Sequence, residues 1–106
     1  DFEKQVAQPF IDWGMDTVEL LPAIYKQCPE LNLIGSGGVR NGLDIARCLR
    51  LGATLSAMAQ PFLAPALEDT EAVIQKIAIL KEQLRWTMFL TGSNNLESLK
   101  IAKLVE

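Results

Sequence analysis

Gly35-Ser36-Gly37-Gly38-Val39-Arg40-Asn41-Gly42-Leu43-Asp44 follows directly on the apolar run Leu31-Asn32-Leu33-Ile34, and a helical pattern starts behind it. Leu31 to Gly35 is too short and too apolar for an alternating surface strand, and it suits a parallel strand buried on both faces. Consecutive glycines after such a strand admit positive φ and let the backbone approach a bulky anion. The N–H groups that open the next helix lack intrahelical partners and carry partial positive charge. Together these elements describe a phosphate cradle. They equally describe an ordinary tight strand-to-helix turn, because a glycine pair alone is a weak motif.

A second segment favours the cradle. Leu51-Gly52-Ala53-Thr54-Leu55-Ser56-Ala57-Met58-Ala59-Gln60-Pro61 reads as a helix end at Gly52, a strand over 53–59 and a loop stopped by proline. Two successive strand ends then present backbone N–H groups side by side. The loops after the last two strands of (β/α)8 barrels often bind phosphate in this way. The expected donors are Gly38, Val39 and Arg40 on the first loop and Ala59 and Gln60 on the second, with Gly37 permitting the close approach. The Arg40 guanidinium either adds a charge-assisted bond or is a surface group near a helix start.

Ser36-Gly37-Gly38-Val39-Arg40 with Gly42 and Asp44, then Leu51-Gly52-Ala53, resembles the phosphate motif of FMN-dependent (β/α)8 barrels. Trp13-Gly14-Met15-Asp16-Thr17 before it, and Met88-Phe89-Leu90-Thr91-Gly92 with Asn95, Leu96 and Leu99 after it, are similar to the type 2 isopentenyl-diphosphate isomerase family. The resemblance covers essentially this whole chain but only the C-terminal part of that enzyme. It implies an α/β fold: a C-terminal fragment of a TIM barrel holding roughly the sixth helix, seventh strand, seventh helix, eighth strand and eighth helix, plus a short terminal helix. It also implies that the phosphate is that of FMN. The intact enzyme would be a cytoplasmic homo-oligomer of isoprenoid biosynthesis that interconverts isopentenyl and dimethylallyl diphosphate. Reduced flavin would take part in proton transfer, Mg2+ would help bind the diphosphate, and NADPH is a further cofactor. In that family the flavin-ring contacts, the metal-binding acid and the diphosphate-binding basic residues lie earlier in the chain. No catalytic residue and no metal ligand is therefore expected here, and the 106 residues alone are expected to be inactive.

Two departures qualify the match. The family usually has proline where Asp16 stands; Asp16 is expected to cap the following helix instead, with Glu19 completing a capping box. Trp13 reads by itself as a packing anchor, whereas the corresponding tryptophan of the family lies near the flavin and substrate pocket. Alternatives remain open: the same segment of another FMN-dependent TIM-barrel oxidoreductase, or a stand-alone, non-enzymatic phosphate-ligand module. The flavin-dependent 2-hydroxy-acid oxidases carry a catalytic histidine a little before the glycine motif. Glu3-Lys4-Gln5 stand at that distance here, and the sequence has no histidine at all.

Length and composition agree with one partial domain over 1–106, a loop at 1–12 and a helix and strand core over 13–106. A complete barrel needs about 250 residues. The chain is 49% hydrophobic and 22% charged, a globular balance. A net charge of −3 without a basic cluster gives no support to nucleic-acid or anionic-membrane binding. No apolar run approaches the ~20 residues of a transmembrane helix. Cys28 and Cys48 have no metal-like spacing and read as reduced thiols near a core. The first residue, Asp1 rather than Met, is what an internal start would show.

The remaining pattern is helical. Thr17 to Gln27 places Val18, Leu21, Ile24 and Tyr25 on one side, with Pro22 expected to bend it. Gly42 to Leu51 buries Ile45, Cys48 and Leu49 and shows Arg47 and Arg50 outward. Pro61 to Pro65 reads as a linking turn. A long helix capped at Asp69 or Thr70 runs to about Thr91 with the stripe Val73, Ile77, Leu80, Leu84 and Met88, and Asn94 or Asn95 caps a last short helix.

Overall fold

The structure, a computed structural model, describes residues 1–105. Strands β1 (Ile34–Gly35) and β2 (Leu55–Ser56) pair in parallel, Ile34 beside Leu55 and Gly35 beside Ser56. Parallel neighbours need a crossover, and α3 (Gly42–Arg50) supplies it. The Leu33 carbonyl accepts from Thr54 N–H at 2.8 Å, and the Gly35 carbonyl accepts from Ala57 N–H at 2.8 Å. The strands are shorter than the stretches 31–36 and 53–59 suggest, because each has a single neighbour to pair with. Burial on both faces is likewise not realised: Gly35 is buried, but Ile34 is 63% and Leu55 60% exposed.

The opening segment corrects the expectation of a loop over 1–12. Phe2–Ala7 forms α1, Asp1 accepts from Glu3 N–H at its start, and Gln8–Phe10 continues as a 3-10 turn with Pro9 in its first positions. None of its residues is buried, so no apolar period marks it in the sequence. Helix α2 is Thr17–Gln27 and runs on through Pro22. Asp16 takes the N-cap position with extended backbone, but its side chain makes no capping bond, so the expected box with Glu19 does not form. Leu21 is buried, whereas Val18 and Tyr25 are exposed. Pro61 to Pro65 is not a simple turn: a 3-10 turn at Gln60–Phe62 leads into α4 (Leu63–Glu68). Helix α5 (Thr70–Leu90) is capped by Asp69 through Ala72 N–H, and α6 (Leu96–Lys100) by Asn95 through Ser98 N–H.

Helix α3 sits at the centre of the packing. Its Cys48 joins Leu21, Val39 and Ala53 in one cluster, with Leu33, Leu51 and Met58 around it. Its Ala46 and Leu49 join Leu99 in a second, with Leu84 and Met88 of α5 against it. Ile45 touches both. Gly42 sets how closely α3 meets α5, since a Cβ there would lie 2.5 Å from the Leu80 carbonyl oxygen and the Gln83 Cβ. The Gly42 N–H donates to Gln83 Oε1 at 2.8 Å. Gly52 ends α3 at φ +118° with no room for a side chain against Tyr25. Arg50 does not point simply outward; its Nε donates to the Ala102 carbonyl.

Candidate phosphate-binding site

Because β1 and β2 are parallel and in register, the loops 36–41 and 57–60 leave the sheet at the same end. Val39 is buried in the sheet-side cluster, and Met58 from the second loop packs against that cluster. The core thus anchors both loops beneath their exposed backbone.

Gly37 and Gly38 both have positive φ, +88° and +76°. A Cβ at Gly38 would meet no protein atom within 4 Å, so the space above it is open. The N–H groups of Gly37, Gly38, Val39, Ala59 and Gln60 reach no acceptor among the described residues. Exposed donors at two adjacent strand ends suit an anion with several oxygens.

Arg40 behaves differently from the expectation that its N–H serves the cradle. That N–H donates to Asp44 Oδ2 at 3.1 Å, and the Arg40 Nε approaches the same oxygen at 3.4 Å. Arg47 Nη1 donates to Asp44 Oδ1 at 3.0 Å. The Arg40 side chain is 76% exposed and remains beside the loop. Burial alone would push the Asp44 carboxyl up, but the Arg40 N–H and the two guanidinium groups outweigh it and hold the carboxyl below its ordinary value. Asp44 therefore does more than favour the helix dipole: it ties the end of the glycine loop to the first turn of α3. Asn41 completes that start by accepting from Asp44 N–H at 2.8 Å.

A second tie was not legible in the sequence. Thr17 Oγ1 donates to the carbonyls of Ser36 (2.9 Å) and Gly37 (3.1 Å). Thr17 is distant in sequence from the glycines, and its place in the stretch Trp13-Gly14-Met15-Asp16-Thr17 carries no sign of this contact. Only the packing of α2 against this end of the sheet reveals it. Trp13, by contrast, is 82% exposed and meets Phe10 edge-on with ring centroids 6.3 Å apart. It is neither a core anchor nor part of an enclosed pocket here.

A cavity of about 660 Å3 opens at the opposite end of the strands, among Tyr25, Leu31, Gly52, Thr54 and Lys100. The N–H groups of Gly52, Ala53 and Thr54 in its lining are already bonded, to the carbonyls of Leu49, Cys48 and Leu33. Among the described residues no three His, Cys, Asp or Glu side chains group to hold a metal ion. No helix among them is long and apolar enough to cross a membrane.

Residues 10–106 match the FMN-dependent dehydrogenase family. The chain belongs to that family. Curated relatives include the isopentenyl-diphosphate delta-isomerase of Cronobacter sakazakii, 41% identical over 98% of this chain, and that of Pseudescherichia vulneris, 44% identical over 94%. The chain spans 30% and 29% of the length of these two relatives. Among solved structures, a lactate oxidase of Pediococcus acidilactici superposes with a TM-score of 0.77 at 28% identity, covering 83% of this chain and 25% of that one. A flavocytochrome b2 variant gives 0.63 at 25% identity, covering 85% of this chain and 27% of its own. The β1–α3–β2 crossover with its flanking helices is thus part of the barrel of FMN-dependent enzymes, and the paired strand ends are the end at which such barrels carry their sites.

Proposed function

We propose that the chain is the FMN-phosphate-binding part of an isopentenyl-diphosphate delta-isomerase. The observation that carries this is the set of acceptor-free N–H groups at Gly37, Gly38, Val39, Ala59 and Gln60, on a chain 41% identical to a relative of that name. Two positive-φ glycines and the open space over Gly38 fit a phosphate monoester. Arg40 adds charge through its exposed guanidinium rather than its N–H, and Trp13 is a candidate wall of the substrate pocket. FMN supplies the proton-transfer chemistry at the allylic carbon; these residues bind and orient it. Mg2+ for the diphosphate, NADPH as reductant, a cytoplasmic location and a homo-oligomeric assembly belong to the reading of the whole enzyme. The structural likeness to lactate oxidase favours a second reading, a segment of a 2-hydroxy-acid oxidase. The higher identity to the isomerases and the absence of histidine in this sequence weigh against it.

Split-barrel complementation tests the proposal. The chain is co-expressed with the N-terminal remainder of the Cronobacter isomerase, and conversion of isopentenyl to dimethylallyl diphosphate is measured with FMN, Mg2+ and NADPH. Conversion dependent on both pieces is expected. Flavin retention without conversion, together with lactate oxidation, would favour the oxidase reading instead.

A further inference from the structure

We infer that Thr17 is a positioning residue of the phosphate cradle, aiming its N–H groups although it does not touch the anion. The inference rests on the cradle proposed above. The peptide unit is planar and trans, so its C=O and N–H point in opposite directions. Thr17 Oγ1 holds the Ser36 carbonyl at 2.9 Å and the Gly37 carbonyl at 3.1 Å. The N–H groups sharing those two peptide planes are those of Gly37 and Gly38. With both carbonyls drawn toward α2, both N–H groups face away from it, on the side where no protein acceptor meets them.

Glycine makes this tether necessary. Gly37 and Gly38 have no Cβ to restrict them, and flanking glycines cross between positive and negative φ at little cost. A flip of either peptide would turn a carbonyl oxygen toward the phosphate and remove a donor. Asp44 secures the far end of the loop through Arg40 N–H, and the buried Val39 side chain holds the middle. Only Thr17 holds the two glycine-bearing peptides themselves among the described residues. The fit is close, since a Cβ at Gly37 would lie 3.3 Å from Thr17 Oγ1. A hydroxyl is the suitable group because its oxygen can share one proton between two carbonyls, whereas a carboxylate would repel them.

The test is a titration of the 15N-labelled chain with inorganic phosphate, read at the backbone amides, for the wild type, Thr17→Val and Thr17→Ser. In the wild type the Gly37, Gly38 and Val39 amides shift together on binding. Thr17→Val keeps the shape but removes the donor; it is expected to weaken phosphate about tenfold, the worth of one well-placed hydrogen bond. The amides of α3 around Asp44 should keep their wild-type positions, and Thr17→Ser should restore binding. Loss of binding that Ser does not rescue, or that comes with displaced α3 amides, overturns the positioning role in favour of general structure. Undiminished binding by Thr17→Val overturns the inference and leaves the cradle standing. A wild-type chain whose loop amides ignore phosphate overturns the cradle and the inference with it.

Discussion

Gly38 and Gly42 lie a single turn apart and are needed for opposite reasons. Gly38 has φ +76° and open space where a Cβ would stand, so its constraint is conformational and its surroundings are left free. Gly42 has an ordinary helical backbone, but a Cβ there would press into the Leu80 carbonyl oxygen, the Gln83 Cβ and the Leu84 nitrogen at 2.5–2.6 Å. The first glycine leaves open space above the loop; the second lets two helices touch. One stretch of sequence thus holds an open positive-φ loop and a packing joint, and the role of each glycine follows from what its missing Cβ would meet.

The largest effect should come from the joint. Gly42→Ala forces α3 away from α5 or strains both, and overpacking of this kind costs about 3 kcal/mol. Urea unfolding of the variant should show a strongly lowered midpoint. If Gly42→Ala unfolds no more readily than Gly38→Ala, the distinction between the two glycines fails.

Next in size is Asp44, which links the two regions. Its side chain is only 12% exposed, and removing it leaves the Arg40 N–H without its acceptor. Asp44→Ala should cost about 1–2 kcal/mol, discounted for the exposure of both arginine partners. The pH dependence has a definite sign. The folded carboxyl titrates below its ordinary value of 3.8, so its stabilisation is complete above that pH and disappears as the pH falls through the folded value. The stability gap between wild type and Asp44→Asn, followed by urea midpoints across an acid series, should narrow there. A gap that widens toward acid would contradict the arrangement.

Gly38→Ala should be milder for the fold and harder on the ligand. A non-glycine residue at positive φ costs roughly 1–2 kcal/mol, and the new methyl group occupies the side on which phosphate would sit. Phosphate binding measured by calorimetry should drop out while a folded chain remains. Retained binding would place the anion elsewhere.

Arg40→Ala should have the smallest effect on stability, a few tenths of a kcal/mol, because its ion pair is largely solvated. Its effect should appear instead as a salt-sensitive loss of phosphate affinity. A stability loss as large as that of Asp44→Ala would show that the guanidinium, rather than the Arg40 N–H, secures Asp44.

These contrasts also explain what a sequence reader can see. The β1–α3–β2 crossover and the long helix α5 are legible because apolar runs and helical stripes encode them locally, and the caps at Asp69 and Asn95 follow from residue type. The glycine pair announces positive φ in the same way. Helix α1 is not legible: it buries nothing, so it leaves no stripe. Asp16 looks like a capping residue and has the extended backbone of one, yet its side chain makes no such bond. The packing role of Gly42 and the tether of Thr17 depend on residues far along the chain, Leu80 and Gln83 for one and Ser36 and Gly37 for the other. Contacts of that kind have no local signature.

On the function proposed above, the chain recognises the phosphate of FMN and not its ring. Calorimetric titration of the purified chain with FMN, riboflavin and inorganic phosphate addresses it directly. FMN and phosphate should bind with similar, weak affinity, competing for one site, and riboflavin should give no heat. Riboflavin binding as tightly as FMN would mean that the ring carries recognition and would contradict the cradle at Gly37, Gly38 and Val39.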